Sequence, residues 1–493
     1  MRTGPETMTI EDRPRRILIV GGGIAGLTAA YRLGQARRRG LPVDELLLEA
    51  GDRLGGVIRT DQAEGCVIEA GPDSFLREKP AAAALARELG LGDSLMGSND
   101  AGGRRTCILR RGRLEPLPDG MMLMVPARLA PVLKSPLIPW CSKWTIVREW
   151  LTGRAPGGPP SGEDESVSSF VTRHFGAGML GTIVEPLLAG VYGGDSSQLS
   201  ARSVLGRFED MERRHGSLIR AARAMRNKTA VSASPEPIFI TLGEGLGSLV
   251  AALAREIEPE RVELGRRVAR IERAGSDAEA PGYRLMLEDG SVREADRVIL
   301  ATPAWASAAL VEPLDAELGD ELAAIPYSSA VLVALVYPGA VRSRLPQGFG
   351  FLVPRAEGRR LLACTFVHQK FQHRAPPDRA LVRCFLGGAR DTQVMADDDA
   401  VLRTAREELD SILGVRDEPL FARVYRWPRS MAQYMVGHDR RMEIIREHLQ
   451  RLPGIYLAGN AYSGIGIPDV IRTGEAAARE GTGDLVPERV EVR

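Results

Sequence analysis

Between residues 15 and 60 the apolar positions fall into three groups. Ile17–Val20 is an unbroken apolar run, too short for a helix and suited to a strand buried on both faces. From Ile24 to Gly34 small and apolar residues continue as a helix. Leu46–Leu48 is a second buried strand, closed by the acid Glu49. Residues 78–96 predict a helix, with Pro80 near its start and Gly90 near its end. Residues 107–118 predict a hairpin that turns at Arg111-Gly112. Ser166 caps a further helix, on which His174 is expected at the surface or in a capping role. The strand–helix pattern returns at 237–275, with a glycine turn (241–247), a helix (248–256) and strands at 262–264 and 267–271. Residues 283–300 alternate and end in a buried run. Residues 305–436 are strand-rich, at 330–337, 350–353, 361–367 and 381–387, with one helix near 398–413. A last buried strand (454–460) enters a helix through a glycine-rich turn. These elements predict an α/β chain, α+β overall. One discontinuous Rossmann-like domain is built from 14–77, 201–304 and 437–485. A helical insertion (78–200) and a mixed-sheet domain (305–436) interrupt it.

Composition adds mainly exclusions. The 493 residues carry a net charge of +1, so no global field draws in nucleic acid. The five cysteines are scattered and form no C-x-x-C pair, which fits a reducing compartment and neither disulfides nor a structural metal site. The polar N-terminus lacks the apolar core of a signal peptide, and no apolar stretch is long enough to span a bilayer. A cytoplasmic protein is expected. Residues 121–154 stand apart: Trp140, Trp144 and Trp150 sit among methionines, prolines, Lys134, Lys143 and Arg148. Two readings fit, tryptophans packed inward in a helical subdomain or a peripheral contact with a membrane interface.

The candidate chemistry lies in the first turn. Gly21, Gly22, Gly23, Ile24, Ala25 and Gly26 contain the spacing G-x-G-x-x-G between the first strand and the helix. Gly21 allows the tight turn, Gly23 lets a phosphate approach the backbone, and Gly26 lets the helix press on the strand. The helix start offers its NH groups to that phosphate. Glu49 stands where an acid accepts hydrogen bonds from an adenosine ribose. Together these indicate a dinucleotide site.

The next residues resemble a known family. Glu49-Ala50-Gly51-Asp52-Arg53-Leu54-Gly55-Gly56 and Glu69-Ala70-Gly71-Pro72-Asp73-Ser74 resemble the flavin amine oxidase superfamily. The resemblance implies FAD, held non-covalently because 459–467 contains no cysteine. Three further segments, EPLLAGVYGGD (185–195), QGFGFLVP (347–354) and GIGIPDVI (464–471), resemble the FAD-dependent porphyrinogen oxidases of haem biosynthesis. That likeness implies FAD contacts at Gly21 to Gly26, Glu49, Ala50, Arg53, Gly55, Gly56, Val57, Gly71, Pro72, Asp73, Ser74, Val268, Asn460, Ile465, Gly466 and Ile467. It also implies six-electron oxidation of protoporphyrinogen IX or coproporphyrinogen III by hydride transfer to flavin N5, with molecular oxygen as acceptor and hydrogen peroxide as product. No catalytic side chain or metal is then required, since the flavin carries the chemistry. Thr302, Trp305, Phe349, Phe351 and Phe366 are candidates for the apolar substrate pocket, and each is equally suited to a core. Protoporphyrinogen oxidases usually place an arginine just before the strand that leads to the Leu-Pro exit. Here Thr106 holds that place and Arg105 precedes it, so Arg105 is the candidate carboxylate anchor and both substrates stay open. An amine oxidase, a carotenoid desaturase or a non-catalytic porphyrin-binding protein are the alternatives, and a homodimer is left open.

Overall fold

The computed structural model describes residues 13–99, 106–155, 157, 163–229, 237–275, 282–388 and 397–483. A five-stranded parallel sheet lies at its centre, in the order Val262–Glu263, Val43–Leu48, Arg15–Val20, Arg297–Leu300, Ile455–Leu457. Ile17, Ile19, Leu47 and Ile299 point to one face, under the helices Ile24–Arg38, Gly247–Glu256 and Ile467–Thr482. Leu18, Val20, Leu48, Val298 and Leu300 point to the other. There they meet an antiparallel meander (Val268–Arg273, Tyr283–Leu287, Val292–Ala295) and the helices Ala304–Val311, Ala316–Ala323 and His438–Gln450. Burial on both faces is why these strands read as unbroken apolar runs. The first and last helices cross closely, because a Cβ on Gly474 would lie 2.3 Å from the Ala25 carbonyl oxygen.

A seven-stranded mixed sheet forms the second body, in the order Phe421–Ala432, Tyr327–Pro338, Arg379–Gly387, Leu361–Phe366, Gly350–Leu352, Thr106–Arg110, Arg113–Pro116. The hairpin at Arg111-Gly112 forms as expected, with both residues at positive φ (49° and 74°). Its first strand pairs in parallel with Gly350–Leu352, so it extends this sheet.

The helical layer runs from Leu129–Lys134 and Trp140–Thr152 through Val167–Phe175 and Glu185–Tyr192 to Ala201–His215 and Leu218–Thr229. Leu205, Phe208 and Met211 share one core with Phe170, Phe175 and Ile183. The expected limits of the insertion, 78 and 200, are therefore redrawn. The hairpin joins the mixed sheet, Ala81–Glu88 packs on the parallel-sheet core, and two helices beyond residue 200 belong to the helical layer. Ser166 caps its helix by accepting the Ser169 N–H at 3.1 Å. His174 is neither a surface nor a capping residue: it is fully buried, with Nδ1 2.9 Å from Glu149. Among the described residues no helix is long and apolar enough to cross a membrane.

Candidate cofactor site

The turn after the first strand is built for close approach. Gly21 has φ +108°, and a Cβ there would stand 2.7 Å from the Ala301 carbonyl oxygen. On Gly26 a Cβ would fall 1.9 Å from the Gly21 carbonyl oxygen, so the helix start rests directly on the turn. Gly23 differs, since a Cβ there would meet nothing within 4 Å. Protein contacts thus require two of the glycines, and the third faces open space at the end of the helix that begins at Ile24. A dinucleotide pyrophosphate needs that open side and those backbone NH groups. The Glu49 carboxylate is fixed at the end of its strand by N–H donors from Gly22 (2.6 Å) and Gly51 (2.7 Å). Arg53 donates to the carbonyls of Leu54 (3.2 Å) and Gly56 (2.5 Å) and so holds the 54–58 loop closed. Gly55 donates to Gly22 at 2.8 Å, and Gly56 lies against Gly23. Ala50 and Val57 flank these residues. Val268 is buried in the same core as Val20 and Leu48.

Gly71, Pro72, Asp73 and Ser74 form the second loop, and the mixed sheet holds it from below. Lys370 contacts Asp73 at 2.9 Å, Arg383 contacts it at 3.1 Å, and Arg383 also donates to the Gly71 carbonyl. Burial opposes a charge on Asp73, but Lys370 and Arg383 outweigh it and hold the carboxyl well below the usual range. Just before the loop, buried Glu69 pairs with buried Arg374 at 2.7 Å and accepts from Thr60 (2.6 Å) and from Leu246 N–H (2.7 Å). Trp427 Nε1 donates to the Ala70 carbonyl at 2.6 Å.

The third loop, 459–466, closes the site at the start of the helix Ile467–Thr482, whose N-cap is Gly466. Asn460 donates to the Ser430 carbonyl at 3.1 Å. Ile467 is buried, and Ile465 packs on the neighbouring core. Asp469 is buried in the first turn and pairs with Lys79 at 2.5 Å. Around this loop stand four tyrosines. Burial raises Tyr192 and Tyr327 to about 12, with Asp469 adding to the effect on Tyr192. It pushes Tyr434 and Tyr462 up as well. All four phenols are therefore neutral at physiological pH.

The expected pocket residues separate. Thr302 sits just past the central strand and bonds Ser307 at 2.8 Å. Trp305 lies nearby, its Nε1 3.3 Å from the Arg429 carbonyl with the Arg429 guanidinium 4.4 Å over its ring. Phe349 is half-buried at the start of Gly350–Leu352. Phe351 and Phe366 are not pocket residues. They pack against each other, 6.1 Å between centroids, on the far face of the mixed sheet with Cys364, Cys384 and Leu409. Arg105 lies outside the described residues. Lys370, Arg374, Arg383, Trp427 and Tyr434 went unnoticed in the sequence. Arg383 did leave a sign there, a single cation inside the apolar strand ALVRCFL.

A family model described as flavin-containing amine oxidoreductase matches residues 24–480. The chain belongs to that family. Its cofactor is FAD, and the open face at Gly23, the fixed Glu49 and the three convergent loops fit such a group. Within this family the chain is 32% identical to the coproporphyrinogen III oxidase of Bacillus subtilis (strain 168), over 96% of this chain and 98% of that one. It is 29% identical to the chloroplastic protoporphyrinogen oxidase 1 of Arabidopsis thaliana, over 91% and 84%. A crystal structure described as a proposed protoporphyrinogen oxidase from Exiguobacterium sp. 255-15 superposes with a TM-score of 0.83 at 31% identity, covering 94% and 98%. A putrescine oxidase variant shares the fold alone, at a TM-score of 0.68 and 17% identity.

Proposed function

We propose that this flavoenzyme oxidises a porphyrinogen to a porphyrin in haem biosynthesis, with coproporphyrinogen III as substrate. The observation that carries this is near-full-length similarity to coproporphyrinogen III oxidases, on a chain whose three cofactor loops are intact. Arg105, directly before Thr106, remains the candidate carboxylate anchor for either porphyrinogen.

Bound FAD supplies a two-electron acceptor, used three times per macrocycle and regenerated by oxygen. The protein's part is orientation and exclusion of water. Asp73 is locked between Lys370 and Arg383, and the four tyrosines around the third loop are neutral. Asp73 and these tyrosines therefore offer packing surface and hydrogen bonds and do not serve as strong bases. A porphyrinogen needs none, because aromatisation drives its oxidation. Thr302 and Trp305 remain candidates for contact with the macrocycle.

We also place the exposed stripe of the helix Trp140–Thr152 against a membrane surface. Trp140, Trp144 and Leu151 recur along one face, each at least 72% exposed, with exposed Arg148 between them.

The test is to offer both porphyrinogens, anaerobically and then in air. Coproporphyrinogen III should bleach the flavin, air should restore the colour, and kcat/KM should favour it at least tenfold. No bleaching with either compound would overturn the reading.

A further inference from the structure

The third cofactor loop carries glycines at φ +136° (Gly459) and +118° (Gly464), so its own backbone does little to hold it in one shape. Two side chains from outside it do, one of them through the other. Tyr434 is 2% exposed, and its hydroxyl bridges the two ends of the loop. It donates to the Asn460 carbonyl at 2.8 Å and accepts the Gly464 N–H at 2.8 Å. His438, the first residue of the helix His438–Gln450, stacks flat on the Tyr434 ring, with centroids 4.2 Å apart and planes at 12°. His438 is itself buried, so the stack braces the Tyr434 ring from one side. The hydroxyl therefore ties the loop at both ends, and the stack fixes the ring that carries it.

The same stretch is tied to the helical layer. Ser200 N–H donates to the Tyr434 carbonyl, Val436 N–H donates to the Gln198 carbonyl (both 2.8 Å), and Gln433 donates to the Tyr192 carbonyl at 2.5 Å. Residues 433–438 thus support both the 192–200 segment and the cofactor loop.

We propose that Tyr434 and His438 are positioning residues that set the shape of the 460–464 loop against FAD, and so the affinity and environment of the flavin. The proposal rests on the reading that 460–467 meets the flavin, and is independent of which porphyrinogen is oxidised.

The test uses purified holoenzyme and its deflavinated form. Tyr434→Phe keeps the ring and the stack but leaves the Asn460 carbonyl and the Gly464 N–H without their partner. The Kd for FAD should rise about tenfold or more, and the visible flavin band should lose its fine structure. His438→Ala removes the stack and leaves both hydroxyl bonds in place, so a smaller rise in Kd is expected. The melting temperature of the deflavinated Tyr434→Phe protein should fall no further than that of Tyr283→Phe, which loses a buried hydroxyl bond to the Pro453 carbonyl (2.8 Å). A purely structural role would lower the melting temperature and leave FAD affinity alone. An FAD affinity in Tyr434→Phe within twofold of the parent, with an unchanged spectrum, overturns the proposal. Gly466→Val separates the two readings. If it expels FAD while Tyr434→Phe does not, the loop is at the flavin and the clamp is wrong. If neither variant weakens FAD, both ideas fall.

Discussion

Single residues divide here between those required by protein contacts and those that face open space. Gly26→Ala forces a methyl into the Gly21 carbonyl and should destabilise the protein even without FAD. The methyl of Gly23→Ala meets no neighbour, so the deflavinated protein should melt as the parent does while FAD affinity falls by about tenfold or more. Calorimetry and fluorescence titration of the two variants distinguish these outcomes. Arg374 is the buried partner of Glu69, and Arg374→Met strands that carboxylate. A loss of about 3–5 kcal/mol in urea unfolding is expected, and a loss below about 1 kcal/mol would show that Thr60 and Leu246 suffice. The buried histidines set the acid response. Burial lowers His368 and His438 from 6.5 to about 4, so both are neutral when folded. The unfolded chain takes up these protons first, and stability should therefore fall as pH drops from 6.5 toward about 4. Urea midpoints across that window check this, and His368→Gln should flatten the slope. His174 has the opposite sign. Burial lowers its pKa, but Glu149 and Glu212 raise it further. Its contribution is present below 6.5 and is lost as pH rises through the raised value.

At the scale of elements, legibility followed burial. The strands Arg15–Val20 and Arg297–Leu300 are covered on both faces, so their apolar runs were plain. The long edge strand Phe421–Ala432 was invisible, because it alternates arginines with aromatics and contains Pro428. An edge position tolerates that proline, and its pairing with Tyr327–Pro338 shifts register at Ser328/Ala330, beside it. The glycine turn between the first strand and its helix was readable from spacing alone. The charges beneath the second loop were not, since Lys370 and Arg383 meet Asp73 from about 300 residues away. Nor could periodicity tell Phe351 and Phe366 in the sheet core from residues lining a pocket, because both places select large apolar rings. The helix Trp140–Thr152 makes its own prediction. Trp140→Ser with Trp144→Ser should reduce co-sedimentation with anionic liposomes severalfold without lowering stability, since both rings are more than 70% exposed. If the parent protein never co-sediments, the membrane contact is wrong.

In the molecule as a whole, the nucleotide domain is stitched from distant parts of the chain. Its central strand lies between Val43–Leu48 and Arg297–Leu300, and its outer strand and covering helix come from 455–482. The close crossing of Gly474 on Ala25 joins the last of these helices to the first. This arrangement dictates an order of events during synthesis. The glycine turn emerges from the ribosome long before the helix that packs behind it. Stable loading of the flavin is therefore expected only once residues 467–482 have left the ribosome and folded onto the first helix, and until then the apolar strands of the nascent N-terminal segment stay uncovered.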